Sequence, residues 1–259
     1  MKYYVGTSGY MISQSLFYEQ NVLNSVEINS SFYRIPKPST VEKWKALAPS
    51  NFKFSVKVNR ALTHYKKLSR PDKVWKEFWD SVKLFDEKIG VILFQFPPSF
   101  HNTDKKSPLD KKTNFERIEY LKTILPERTR FAFEFRNTSW FTKEVYALFR
   151  KNGWAIVNDY VDNKTGWMGD MPSGFTPDVY TGSFNYIRLH GSAGKFKGAY
   201  NATALNNLKK DLTSSGKKTS YVYFNNTFFK KYGKTCKVKS KKIRYAAYCD
   251  AAKFTRKIK

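Results

Sequence analysis

Asn185-Tyr186-Ile187-Arg188-Leu189-His190 reads as a strand that ends in charge. Side chains two apart on a strand share a face, so Tyr186, Arg188 and His190 line one side while Ile187 and Leu189 fill the other. The device recurs along the chain. Residues 25–29 close on Glu27 and Asn29, 131–136 on Glu134 and Arg136, and 220–225 on Tyr223 and Asn225. The run 52–58 carries Lys57, 90–95 ends at Gln95, and Asp159 follows 154–158. An ionised group set among Val, Ile, Phe and Tyr is costly to bury unless paired. Its repetition at one end of successive strands therefore calls for a shared polar site at that end, which is where parallel barrels build their sites, or else for a ring of satisfied ion pairs, with a Glu27 or Glu134 carboxylate clamped by Arg188 or Arg136, that closes the barrel without catalysis.

Working outward, the β-rich runs are 3–6, 25–29, 52–58, 90–95, 131–135, 154–158, 185–190 and 220–225, eight in all. Helical periodicity lies between them at 39–47, 71–88, 114–125, 142–151 and 203–212, several opening on a capping residue, Ser39, Asp72 or Thr142. Residues 7–23 and 159–184 show little helical pattern, the latter reading as a long loop. Strands alternating with helices imply a parallel sheet, and eight is the number at which such a sheet closes. The expected fold is α/β, a single TIM-type (β/α)8 barrel with a basic C-terminal extension. An open doubly wound sheet is the alternative. The barrel domain is expected over 1–229, followed at 230–259 by a basic tail with a short helix packed on the barrel.

A length of 259 residues suits one such domain, and a composition 41% hydrophobic and 17% aromatic excludes a disordered chain. No apolar run is long enough for a membrane span, and no signal-peptide pattern opens the sequence, so a cytoplasmic protein without a membrane partner is expected. Cys236 and Cys249 suggest neither a disulfide framework nor a zinc cluster. The net charge is +26, and from Leu208 onward 16 Lys or Arg face only Asp211 and Asp250. Such a surface attracts polyanions, although solvated lysines explain charge of this kind more simply.

Further motifs lie in order along the chain. They are Gly6-Thr7-Ser8-Gly9-Tyr10, Val26-Glu27-Ile28-Asn29-Ser30-Ser31-Phe32-Tyr33, and Phe54-Ser55-Val56-Lys57 with Thr63-His64. Leu93-Phe94-Gln95-Phe96-Pro97-Pro98-Ser99-Phe100 follows, then Phe133-Glu134-Phe135-Arg136 with Ser139-Trp140. Tyr186-Ile187-Arg188-Leu189-His190-Gly191 and Tyr221-Val222-Tyr223-Phe224-Asn225-Asn226 complete the set. In this order they resemble the YecE-like family, domain of unknown function 72, over residues 5 to 226. The resemblance implies a TIM-type barrel and no established activity. It departs after Asn226, where the family continues into a short Gly- and Ala-containing helix and this chain is basic and aromatic.

The candidate catalytic residues are Glu27, Glu134 and His190, which could move protons if burial brings a carboxylate toward neutrality. The candidate substrate-binding residues are Asn29, Tyr33, Lys57, His64, Gln95, Arg136, Arg188, Asn225 and Asn226. Cations and amides of this kind suit a phosphate or carboxylate, so the expected partner is a small anionic substrate undergoing hydrolysis, isomerisation or elimination. A metal-dependent phosphodiesterase is the alternative, with donors in Glu27, Glu134, Asp159, His64 and His190. Two nearby arginines disfavour a divalent ion, so no metal ligand is assigned and the cofactor is left open. A third reading is nucleic-acid binding through Phe228-Phe229-Lys230-Lys231-Tyr232 and the basic residues to Lys242, with aromatics stacking on bases. Tyr33, Trp140 and Trp167 could wall a ring-shaped substrate, with core packing the equal alternative for Tyr33 and Trp140, and His101 reads as a loop residue.

Overall fold

The computed structural model describes residues 1–176, 179–226, 236–238, 241–243 and 245–258. All eight expected runs are strands, the sixth in two pieces. They are β1 (Lys2–Thr7), β2 (Ser25–Ile28), β3 (Lys53–Lys57), β4 (Ile89–Gln95), β5 (Phe131–Glu134), β6 (Ala155–Ile156), β7 (Asn158–Val161), β9 (Asn185–Leu189) and β10 (Thr219–Phe224). A short β8 (Gly174–Phe175) runs antiparallel to β7, within the segment expected to be a loop.

The strands form two five-stranded sheets, β2-β3-β4-β5-β6 and β1-β10-β9-β7-β8. Only Val157 separates β6 from β7. On the other side the sheets meet through an isolated parallel bridge between Ser8 and Glu27. The arrangement is α/β and TIM-like, with the ladder interrupted at these two places rather than continuously closed. The β1/β2 interruption has a local cause. The Asn24 side chain accepts from Val5 N at 2.8 Å and donates to Tyr3 O at 2.9 Å, taking the place of ladder bonds. Gly6 lets the backbones approach, since a Cβ there would lie 2.1 Å from Ser25 O.

Helices flank the strands: α1 (Gln14–Glu19), α2 (Ser30–Tyr33), α3 (Pro38–Leu47), α4 (Asp72–Val82), α5 (Asn114–Tyr120), α6 (Lys143–Asn152) and α7 (Ala202–Ser214). Thr142 caps α6 as expected, accepting from Val145 N, and Gly153 at φ 66° ends it. Ser39 and Asp72 are not caps. They fall in the first turns of α3 and α4, behind Lys37 and Pro71. Helices α1 and α2 were not expected, being shorter than periodicity can reveal.

The strands' side chains form two layers. Tyr4, Val91, Leu93, Ala132, Val157, Tyr186, Tyr221 and Tyr223 make one buried cluster. A larger cluster packs the opposite strand faces against the helices and includes a stacked aromatic run, Phe96, Phe100, Trp140 and Phe135. Trp140 thus belongs to the core rather than to a substrate wall.

The C-terminal helix α8 (Ala246–Ile258) packs on β1 and β10 with Ala246, Ala247, Ala251 and Ala252 buried. A hairpin, β11 (Cys236–Val238) and β12 (Lys241–Ile243), precedes it. Cys236 and Cys249 form a disulfide, a pairing their spacing of 13 residues did not reveal. Phe228-Phe229-Lys230-Lys231-Tyr232, the core of the run expected to meet nucleic acid, lies outside the described residues.

Candidate functional site

The polar cluster sits on top of the tyrosine layer because the strand register puts it there. Arg188 on β9 is aligned with Tyr223 of β10 and Asp159 of β7. Glu134 is aligned with Gln95, and Glu27 with Ser55.

Arg188 is the hub. It donates to Glu27 from Nε at 3.1 Å and from Nη2 at 2.8 Å, and its Nη1 donates to Glu134. Glu27 also accepts from Ser8 Oγ and Tyr186 OH, each at 2.7 Å, and Arg136 Nε donates to Glu134 at 2.8 Å. Arg188 and both carboxylates are buried. Burial works to raise the Glu134 carboxyl, but Arg188 and Arg136 outweigh it and hold it below the usual range. These groups form a closed ion-pair network, and Glu134 is held ionised.

Beside it lies a pair of different character. His190 Nε2 is 2.8 Å from Asp159 Oδ1, with both residues buried. Burial, aided by Glu134, pushes the Asp159 carboxyl up, while burial and Arg188 push His190 down. Both shifts disfavour charge on the pair, whose oxygen and nitrogen are joined by one hydrogen bond. Asn225 reaches the other ring nitrogen, Nδ1, at 3.3 Å, and a terminal amide can donate there or accept. Trp167 meets the His190 ring edge-on at 5.5 Å, with Phe196 at 5.9 Å. Asp159 Oδ2 and Trp167 Nε1 are buried and have no hydrogen-bond partner among the described residues.

Lys57 completes the cluster from the end of β3. Its Nζ lies 4.0 Å over the Phe32 ring, and among the described residues no carboxylate pairs with it. Burial and Arg188 bring its pKa down to about 7. His64, in a single π-turn at Ala61–Tyr65, packs on Phe32 at 4.8 Å. Burial, with Lys57 and Arg136, brings His64 down to about 4, so it is neutral near pH 7.

The structure thus gathers Glu27, Lys57, His64, Glu134, Arg136, Arg188, His190 and Asn225. Four other candidates stand differently. Gln95 Nε2 donates to Phe96 O, Asn29 Oδ1 is buried with no partner among the described residues, and Tyr33 is exposed with Arg60 over its ring. Asn226 turns to α8, donating to Asp250 Oδ2 at 2.8 Å and to Gly198 O at 2.9 Å. Sequence reasoning offered Asp159 only as a metal donor in the alternative reading and Trp167 only as an aromatic wall, and it gave Ser8 and Tyr186 no role in the site. Tyr186 was legible, standing two residues before Arg188 on the same face. Ser8 and Trp167 come from loops, where no periodicity signals direction.

Among the described residues, Glu134, Asp159 and His190 form a cluster whose ligand atoms lie within 4.8 Å of one another. They fit a metal poorly. Both Glu134 oxygens already accept from arginines, Asp159 Oδ1 is engaged by His190, and Arg136, Arg188 and Lys57 oppose a divalent charge.

The profile of the family described as "Protein of unknown function DUF72" matches residues 6–237. The chain belongs to the DUF72 family. The UPF0759 protein YunF of Bacillus subtilis is 29% identical over 158 residues, covering 57% of this chain and 52% of YunF. The match thus spans about half of that relative's length. A DUF72 family protein of Thermotoga maritima superposes with a TM-score of 0.73 at 24% identity, covering 100% of this chain and 99% of its own. A D-psicose 3-epimerase solved with D-fructose gives 0.55 at 11% identity, covering 99% and 96%. These likenesses agree on the TIM-like fold. Among the described residues of this DUF72 protein, no helix is long and apolar enough to cross a membrane.

Proposed function

We propose that this DUF72 protein is an enzyme acting on a small substrate that bears a phosphate or carboxylate, bound at the C-terminal ends of a barrel's strands. The observation that carries this reading is a lysine without a carboxylate partner among the described residues, set beside two arginines and the hydrogen-bonded Asp159–His190 pair. Among the described residues Arg188 pairs with Glu27 and Glu134, Arg136 pairs with Glu134, Lys57 pairs with no carboxylate, and His190 is hydrogen-bonded to Asp159. An anion would favour the charged form of Lys57, and the buried Trp167 Nε1, which has no partner among the described residues, could donate to it.

In this reading Lys57 and Arg136 hold the anion, and Arg188, fixed by Glu27 and Glu134, sets the local field. His190 transfers the proton with Asp159 behind it and Asn225 holding the ring. Glu27 and Glu134 act as fixed charges rather than as proton carriers. The chemistry is a proton transfer, as in isomerisation, elimination or hydrolysis. A metal-dependent phosphodiesterase is less well supported, because its ligand set would have to be stripped from the arginines.

The test has two parts. Calorimetric titration with inorganic phosphate at constant ionic strength should show saturable binding that Lys57→Met and Arg136→Gln weaken at least about tenfold, the effect of losing roughly 1.4 kcal/mol. A panel of phosphorylated and carboxylated sugars should then yield a substrate whose turnover His190→Gln abolishes with its binding retained. Phosphate binding untouched by either cation substitution would overturn the site assignment.

A further inference from the structure

Arg60 stands at the rim of this site with its Cζ 5.3 Å from the Tyr33 ring and 5.2 Å from the Tyr65 ring. Both tyrosines are conspicuous on the surface, Tyr33 being 67% and Tyr65 68% exposed. Large exposed aromatics cost solvation, and two sharing one guanidinium form a flat, cationic, π-faced surface rather than a random apolar spot. Among the described residues no carboxylate pairs with Arg60, so its charge is not neutralised within the fold.

This surface is continuous with the buried cluster. Tyr33 meets Phe32 edge-on at 5.1 Å, Phe32 meets His64 at 4.8 Å, and Lys57 Nζ lies 4.0 Å over Phe32. An aromatic track therefore leads from exposed tyrosines past a neutral imidazole to the unpaired ammonium. The elements that carry it, α2 and the π-turn at Ala61–Tyr65, directly follow β2 and β3.

We infer that the Tyr33–Arg60–Tyr65 surface stacks a nucleobase, so that the anion at Lys57 and Arg136 is the phosphate of a nucleotide. This rests on the anionic-substrate reading above and narrows it. Every base offers a π-face to tyrosine and to a guanidinium, and the Arg60 charge suits the attached phosphate. A sugar phosphate lacking a base would use Lys57 and Arg136 while leaving the rim idle. A free nucleotide and one unit of a single strand share this chemistry, and the net charge of +26 suits either.

The test compares adenosine 5′-monophosphate, ribose 5-phosphate and a ten-nucleotide single-stranded oligonucleotide, titrated by calorimetry into the full chain and into Tyr33→Ala/Tyr65→Ala. Both substitutions are at exposed positions and should leave the unfolding midpoint unchanged. The expected result is that the mononucleotide binds about tenfold or more tighter than ribose 5-phosphate, the range of base–aromatic stacking. The double variant should erase this advantage while binding ribose 5-phosphate as before. Tighter, strongly salt-dependent binding of the oligonucleotide would identify a strand as the source, and equal binding a free nucleotide. Equal affinity for the two monophosphates, or an advantage that survives in the double variant, would overturn the base subsite and leave the anion site standing. Binding of neither monophosphate would overturn both.

Discussion

His190 Nε2 lies 2.8 Å from Asp159 Oδ1, and burial drives this pair to a form without net charge. Its pH consequences partly cancel, because the depressed histidine and the raised carboxyl act on stability with opposite signs. His64 is the cleaner probe. Its pKa falls from 6.5 in the unfolded chain to about 4 in the fold, so the unfolded state binds more protons between these values. The His64 contribution is complete above pH 6.5 and is lost as pH falls toward 4. Urea midpoints measured at pH 7, 5.5 and 4.5 should decline, and less steeply in His64→Gln. Parallel declines in the two proteins would contradict a half-buried imidazole that the fold keeps neutral.

Arg188 holds two buried carboxylates together, so its removal should be among the most damaging single changes. Arg188→Met leaves Glu27 and Glu134 charged and without their shared partner, which costs roughly 3–5 kcal/mol. Adding Glu134→Gln should restore part of that loss, because it removes a stranded charge. Chemical unfolding of the single and double variants measures both numbers. A single variant within about 0.5 kcal/mol of the parent would mean that water already reaches these groups.

Much of this was legible in the sequence, and the missing parts share a cause. Polar residues at strand ends, Glu27, Glu134, Arg188 and His190, announce themselves because ionised groups in apolar strands need a reason to be there. The pattern left open whether these groups do chemistry or close an ion-pair ring, with Glu27 or Glu134 clamped by Arg188 or Arg136, and the second is the pairing the distances give. What the pattern did not single out is the hydrogen bond between Asp159 and His190, because Asp159 lies beyond the run read as the sixth strand. The β1/β2 interruption was hidden in Asn24, whose side chain substitutes for backbone. Short elements such as α1 and α2 lie below the length at which a period of 3.6 residues can be recognised.

Asn226 shows why adjacency in sequence is a poor guide to shared function. Its neighbour Asn225 points to His190, but Asn226 is turned away and binds Asp250, which also accepts from Tyr200 N at 3.0 Å. Asn226→Ala would leave Asp250 short of a donor in a buried position, costing about 1–3 kcal/mol. Phosphate affinity should not change. A tenfold loss of affinity with normal stability would return Asn226 to the binding site.

The Cys236–Cys249 disulfide ties β11 to α8, the helix that covers β1 and β10. Closing a loop of this size stabilises a chain by about 2–4 kcal/mol. Reduction, or Cys249→Ser, should therefore lower Tm by several degrees, and thiol labelling of the oxidised native protein should find no free cysteine. Full labelling of both cysteines under air, with an unchanged Tm on adding reductant, would show that the pair stays open.

Lys57 ties stability and binding together with opposite signs. The unfolded side chain keeps its proton to about pH 10.5, whereas the folded one gives it up near 7, so between these values the unfolded state binds more protons and stability rises with pH. Below pH 7 the fold bears the full cost of a buried ammonium. Lys57→Met removes that cost and should raise Tm at pH 6, by about 2–4 °C per kcal/mol gained, with the advantage shrinking as pH rises above 7. The same substitution should weaken anion binding. Sulfate is the suitable probe because its charge is constant over this range. The parent should bind it more tightly at pH 6 than at pH 8.5, and Lys57→Met should bind weakly at both. A residue retained at a cost to the fold and needed for binding is the pattern expected of a functional cation. If Lys57→Met proved less stable at pH 6 and still bound sulfate, Lys57 would instead be a structural member of the ion-pair network.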